Sequence, residues 1–225
     1  MLIFRGGIFP RIVALFPLIF PLYLLRGEFS GIPVTLPEVI LFFMLVYFLI
    51  RERVWEKSFW RINGKSFLIT PVFLFLAAAL LGVLVAPMSS EFLDGTVFPA
   101  KMKALGILKG WVIFPVAYFY MARFYFKEKP ALMKLAGRAL LASAFLLSIY
   151  AVYQAVSGNY TTVDFRASGP FESANYLALY VGPVAVYGFF SFFKSENKAD
   201  KIFVALATLT CFAAIYFTRS YAAWI

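Results

Sequence analysis

The residues best suited to chemistry stand at two apolar borders late in the chain. Arg166 lies in the least lipid-like stretch, Ser157 to Tyr176, where Gly169-Pro170 forces a turn and Ser173 or Asn175 can cap the apolar helix that follows. A helix start presents unpaired N–H groups and the positive end of its dipole, an arrangement suited to phosphate or another anion. A guanidinium a few residues upstream adds a planar fork that grips phosphate oxygens in pairs. The plain alternative is an ordinary loop with a capped helix and one solvated arginine. The second border is Thr218-Arg219-Ser220, a charge between two apolar stretches. An ionisable residue there is costly unless paired, snorkelled or facing water, so Arg219 is a candidate functional group, with a snorkelling helix-end arginine as the alternative.

Other residues carry less. Lys101, Lys103 and Lys109 follow a segment bearing Glu91 and Asp94. They are either interfacial anchors or contacts for an anionic headgroup, and Lys109 joins the candidate substrate-binding set on the second reading. Glu38 is either an interfacial carboxylate or the partner of an arginine. The chain has no histidine, which removes the commonest general base and metal ligand. Cys211 stands alone in an apolar run and reads as a small buried hydrophobe. Gly106 to Gly110 lacks the spacing of a nucleotide-phosphate loop. Neither a metal site nor a cofactor is expected, and the basic loops have no fold context for nucleic acid.

The elements that must position these groups are membrane spans. Of 225 residues, 63% are hydrophobic and 14% charged, against roughly 45–50% and about 25% in a soluble domain. The mean hydropathy of +0.84 is spread along the chain, so a removable signal peptide does not account for it. These figures exclude a soluble enzyme, a nucleic-acid binder or a secreted domain. A span needs about 20 mostly apolar residues. About seven candidates follow, at Ile8 to Leu25, Leu36 to Ile50, Phe67 to Ala86, Ile107 to Phe126, Leu135 to Val156, Ala174 to Phe193 and Ile202 to Thr218. Pro10, Pro17 and Pro21 interrupt the first, and the second is short, so the two together can form a kinked pair.

The net charge of +10 is explained first by topology. An inside N-terminus puts most basic residues in cytoplasmic segments: Arg5 and Arg11; Arg51, Arg53, Lys57, Arg61 and Lys65; Arg123, Lys127, Lys129, Lys134 and Arg138; Lys194, Lys198 and Lys201. Arg26, Lys101, Lys103, Lys109, Arg166 and Arg219 fall on the other side, with the segment from Ser157 to Ser173. No repeat or linker is visible, so residues 1–225 read as a single all-α, polytopic transmembrane domain. The apolar run begun at Tyr221-Ala222-Ala223-Trp224-Ile225 predicts that the natural protein continues.

Arg166-Ala-Ser-Gly169-Pro-Phe171-Glu-Ser-Ala-Asn175-Tyr-Leu-Ala178 resembles the outer-loop-to-helix pattern of the O-antigen ligase and polymerase family of bacterial membrane proteins. Phe217-Thr218-Arg219-Ser220-Tyr-Ala-Ala is similar to that family's Thr/Ser-Arg element, and the two are one helical hairpin apart. Ala174 stands where the family usually has proline, and the Arg-Ser order is inverted. The resemblance implies a glycosyltransferase of polysaccharide or lipopolysaccharide biosynthesis in the cell envelope, multi-pass in the bacterial cytoplasmic (inner) membrane. It would pass a glycan from a polyprenyl diphosphate, such as undecaprenyl diphosphate, to a glycan, lipid or protein acceptor. Arg166 and Arg219 would be the catalytic groups that hold the diphosphate, and Asn175 would help bind substrate. A larger outer loop with a histidine, which this chain lacks, would take the acceptor's proton, so the chain alone would be largely inactive. A multi-span transporter or flippase is the competing reading, and a non-catalytic membrane scaffold a third.

Overall fold

The computed structural model describes residues 7–29, 32–55, 69–91, 97–127, 129–162 and 164–220. The chain packs as two compact units, one from residues 1–24 with 129–225 and the other from residues 25–128. The cytoplasmic expectations for Arg5, Lys57, Arg61 and Lys65, and the apolar run from Tyr221, lie outside the described residues.

Helices form at each of the seven expected places, and four of them are long and apolar enough to cross a membrane: Ala100–Phe126, Pro130–Ser157, Ala174–Lys194 and Lys198–Thr218. The chain is therefore an all-α membrane protein; among the described residues four helices, not the expected seven or so, have full spanning length. The first two helices are shorter for local reasons. The first, α1 (Ile8–Leu15), passes into a 3-10 segment, Phe16–Leu24, because Pro17 and Pro21 bring no N–H to the helical ladder. Pro10 lies in the first turn of α1, where the lost N–H costs nothing. Helix α2 (Leu36–Arg51) has 16 residues, about 24 Å at 1.5 Å per residue and short of the ~30 Å hydrocarbon layer. Helix α3 is described over Ile69–Val85.

The second unit opens on an antiparallel hairpin, β1 (Arg26–Phe29) with β2 (Ile32–Thr35), which hydropathy alone did not show. Thr35 then caps α2 in a reciprocal box: its backbone N–H donates to Glu38 Oε2 at 2.9 Å. A second pair of short strands, β3 (Ser90–Glu91) and β4 (Val97–Phe98), precedes α4 (Ala100–Phe126). Helix α4 starts seven residues before the expected Ile107, because Ala-Lys-Met-Lys-Ala-Leu is strongly helix-forming although polar. Its middle, Leu108–Ile113, widens into a π-helix in which the Phe114 N–H reaches back five residues to Lys109 O. Pro115 explains this place, since it lacks an N–H and its ring crowds the preceding turn.

The first unit is a bundle of α5 (Pro130–Ser157), α6 (Ala174–Lys194) and α7 (Lys198–Thr218), with α1 and the 3-10 segment packed on α5. Its interior mixes small residues, among them Ala144, Ala151, Ala185, Ala207, Ala214 and Cys211, with Leu141, Leu147, Leu177 and Ile215. Bulky groups such as Phe193 and Leu209 face outward, 67% and 66% exposed. The outward apolar face and the small residues inside are what lipid favours, because tight backbone approach and not hydrophobic exclusion holds spans together. At Gly188 the approach leaves no room for a side chain: an added Cβ would lie 2.2 Å from Thr208 Oγ1.

Candidate functional site

Each end of the three-helix bundle is polar, and the ends differ. At one, Arg138 on α5 donates to Asp200 Oδ2 of α7 at 2.6 Å. Ser195 in the α6–α7 turn donates to the same carboxylate, and the Lys201 ammonium sits 4.8 Å from the Phe192 ring centre. The other end carries Arg166, Asn175 and Arg219.

Helix α5 stops at Ser157 because Gly158 adopts the left-handed conformation, φ 71°. The chain then returns across the bundle end, held by one side chain that sequence reasoning did not single out. Gln154 is 1% exposed. Its Oε1 accepts from Ser168 N at 3.2 Å and Gly169 N at 2.8 Å, and its Nε2 donates to Gly169 O at 3.1 Å. Both ends of the amide are thus used, as a buried polar group in a span requires. The Thr161 and Ser168 hydroxyls meet at 2.7 Å, and the Thr162 hydroxyl donates to Arg166 O at 2.8 Å. The lone glutamine in an otherwise aliphatic and aromatic helical run was the available signal.

These bonds fix the backbone that carries Arg166. Its Nε donates to Asp164 Oδ2 at 2.5 Å and its Nη1 to Asn175 Oδ1 at 3.4 Å. The neighbouring Thr162 hydroxyl, then the Arg166 guanidinium, hold the exposed Asp164 carboxyl below its ordinary value. The start of α6 is less open than expected: Ser173, not Asn175, is the cap, and its hydroxyl oxygen accepts the Asn175 N–H at 3.2 Å. Of the pair, Asn175 instead offers its side chain to Arg166.

The Arg219 segment meets the same loop. Ala167 N, next to Arg166, donates to Phe217 O at 3.3 Å, two residues before Arg219. Thr218 and Ser220 are buried and bonded back into the helix end, Thr218 Oγ1 to Ile215 O at 2.7 Å and Ser220 N to Thr218 Oγ1 at 3.3 Å. Arg219 between them is exposed, and among the described residues its guanidinium has no hydrogen-bond or ion-pair partner. It holds a left-handed backbone, φ 49°, as does Phe165, φ 51°. Each such non-glycine residue costs about 1–2 kcal/mol; Arg219 adopts it as the left-handed cap of α7, and Phe165 adopts it just before Arg166.

The structure therefore brings Arg166, Asn175 and the Arg219 segment to one end of one unit. Lys109 belongs to the other unit. Its ammonium lies 3.0 Å from Glu38 Oε2 and also donates to Pro33 O. Glu38 is thus paired, with a lysine and not an arginine. Gly110 makes room for it, since an added Cβ would stand 2.5 Å from Glu38 Oε1. Among the described residues no group of His, Cys, Asp and Glu is arranged to hold a metal ion. No family model, curated protein or solved structure matches this chain.

Proposed function

We propose that this protein is an O-antigen ligase-like or polymerase-like membrane glycosyltransferase, moving a glycan from a polyprenyl diphosphate to an acceptor at the outer face of the cytoplasmic membrane. The observation that carries the reading is the Ala167 to Phe217 hydrogen bond, which ties the Arg166 loop to the helix end bearing Arg219. Two guanidinium groups on a backbone so constrained suit a leaving diphosphate, whose charge grows as the glycosidic bond breaks.

The reaction assigns simple roles. The acceptor oxygen bonds to the anomeric carbon, the bond from that carbon to the diphosphate oxygen breaks, and the polyprenyl diphosphate leaves with the electron pair. Arg166 and Arg219 bind and neutralise that diphosphate, and Asn175 orients Arg166 through its side-chain oxygen. The acceptor's proton goes to a base outside this pair, which the family resemblance assigns to a histidine in a further outer loop. On this reading the Arg138–Asp200 end, with Lys134, Lys194, Lys198 and Lys201 near it in sequence, faces the cytoplasm and the arginine loop faces outward, as the positive-inside rule favours.

Substituting Arg166 or Arg219 by Lys in the producing cell tests the reading, because lysine keeps the charge and loses the fork. The expected result is accumulation of lipid-linked glycan and loss of transferred product. Unchanged transfer in both variants would reduce the arginines to interfacial anchors and remove the proposal's support.

A further inference from the structure

Asp164 occupies the edge of Arg166 that an anion would use. Its Oδ2 lies 2.5 Å from Nε, and a carboxylate oxygen there stands in chemically for a phosphate oxygen. Two interpretations of such a contact have opposite consequences. Either the carboxylate orients the arginine for a ligand, or it holds the ligand's place.

The loop geometry separates them. Backbone position at Arg166 is already fixed without Asp164: Gln154 grips Ser168 and Gly169, Thr161 meets Ser168, Thr162 takes the Arg166 carbonyl, and Ala167 is tied to Phe217. Asn175 supports the far side of the guanidinium at Nη1. The Asp164 side chain is 47% exposed, against 26% for Arg166, so its carboxylate can swing into water while the buried stretch from Ala167 to Gly169 stays in place. An exposed ion pair two residues apart contributes only about 0–1 kcal/mol to stability. What it contributes instead is a negative charge at the position where a diphosphate must arrive.

We infer that Asp164 is an internal counter-ion that keeps the Arg166 fork closed until an anionic phosphate group displaces it, and so sets the threshold for ligand binding at this site. The inference rests on the diphosphate reading above and adds its regulation. Displacement exchanges one anion for another on Nε, so no proton or covalent bond is transferred. Before arrival the aspartate balances the guanidinium. After arrival it remains nearby as a like charge, which weakens the complex and favours release of the spent carrier.

The experiment measures farnesyl diphosphate binding calorimetrically to the full protein in nanodiscs of neutral phosphatidylcholine. Asp164→Asn removes the charge and keeps the shape. It is expected to bind about tenfold tighter than the wild type, the size of effect for one unit charge about 5 Å from a doubly charged group in a water-like dielectric with some salt screening. Asp164→Ser, which also cannot form the ion pair, is expected to change affinity in the same direction and guards against a folding defect peculiar to one variant. The double variant Asp164→Asn with Arg166→Lys is expected to lose the gain. Equal or weaker binding by both Asp164 variants overturns the inference, making Asp164 an orienting group. If Arg166→Lys weakens binding while the Asp164 variants match wild type, only this inference fails. If no form binds the diphosphate, the functional reading fails with it.

Discussion

Replacing Gln154 by Leu should release the arginine loop without unfolding the bundle. The side chain is 1% exposed and serves two backbone N–H groups and one carbonyl, at 2.8, 3.2 and 3.1 Å. Leucine leaves those three groups buried and unmet, at about 1 kcal/mol each even on the low end of the usual range. The sum, about 3 kcal/mol, corresponds to an increase on the order of 100-fold in local opening. Gln154→Glu, neutral at so buried a position, keeps an acceptor oxygen and leaves at most one of the three groups unmet, so about 1 kcal/mol and roughly fivefold is expected. Hydrogen–deuterium exchange on the purified protein reads this directly. Amides from Ser157 to Phe171 should exchange faster in that order of variants, while those of α7 near Val204 and Ala207 keep the wild-type rate. Equal protection of the loop in Gln154→Leu and wild type would refute the claim that one amide holds the site together.

Other consequences follow from the same contacts. Glu38→Gln or Lys109→Met alone should lower stability by about 2 kcal/mol, since each strands a half-buried charge, and the double change should recover most of the loss in detergent thermal unfolding. Gly188→Ala should cost about 1–3 kcal/mol by overpacking against Thr208 and Leu141, and Thr208→Ala should restore part of it in the same assay. The Asp164 carboxyl is held below its ordinary value of 3.8 by Thr162 and Arg166. Its pairing with Arg166 is complete above 3.8 and is lost as the pH falls through the lower folded value. The nitrogen-15 resonance of Arg166 Nε should therefore hold its shift from neutral pH down to that ordinary value and move only below it. Movement well above 3.8 would contradict the assignment.

What could be read in advance was decided by periodicity and hydropathy, and what could not was decided by partners. Apolar runs located the helices, because a long stretch of Leu, Phe and Ala has few alternatives in lipid. They misplaced the start of α4, where Lys101 and Lys103 are helical but polar, and they missed the β1–β2 hairpin, whose strands are only four residues each. The prolines of the first run announced its short helix. Arg166, Asn175 and Arg219 were legible as chemistry from residue type and setting. Their common location was not, because it rests on a bond between backbone atoms 50 residues apart, Ala167 N and Phe217 O, which no local pattern encodes. Lys109 illustrates the converse. Its position by an apolar run suggested an interfacial anchor or a contact for an anionic headgroup, and only the fold shows Glu38, 71 residues away, already holding it.

The account turns on Arg166 and Arg219 serving one diphosphate together, and a double-mutant cycle tests that most directly. Farnesyl diphosphate affinity would be measured for Arg166→Lys, Arg219→Lys and the pair in nanodiscs. The account predicts a loss of at least about tenfold in each single variant, as expected for a charge-assisted bidentate contact worth about 1.5–3 kcal/mol, and a combined loss smaller than the product of the two. Affinity unchanged in either single variant would contradict it.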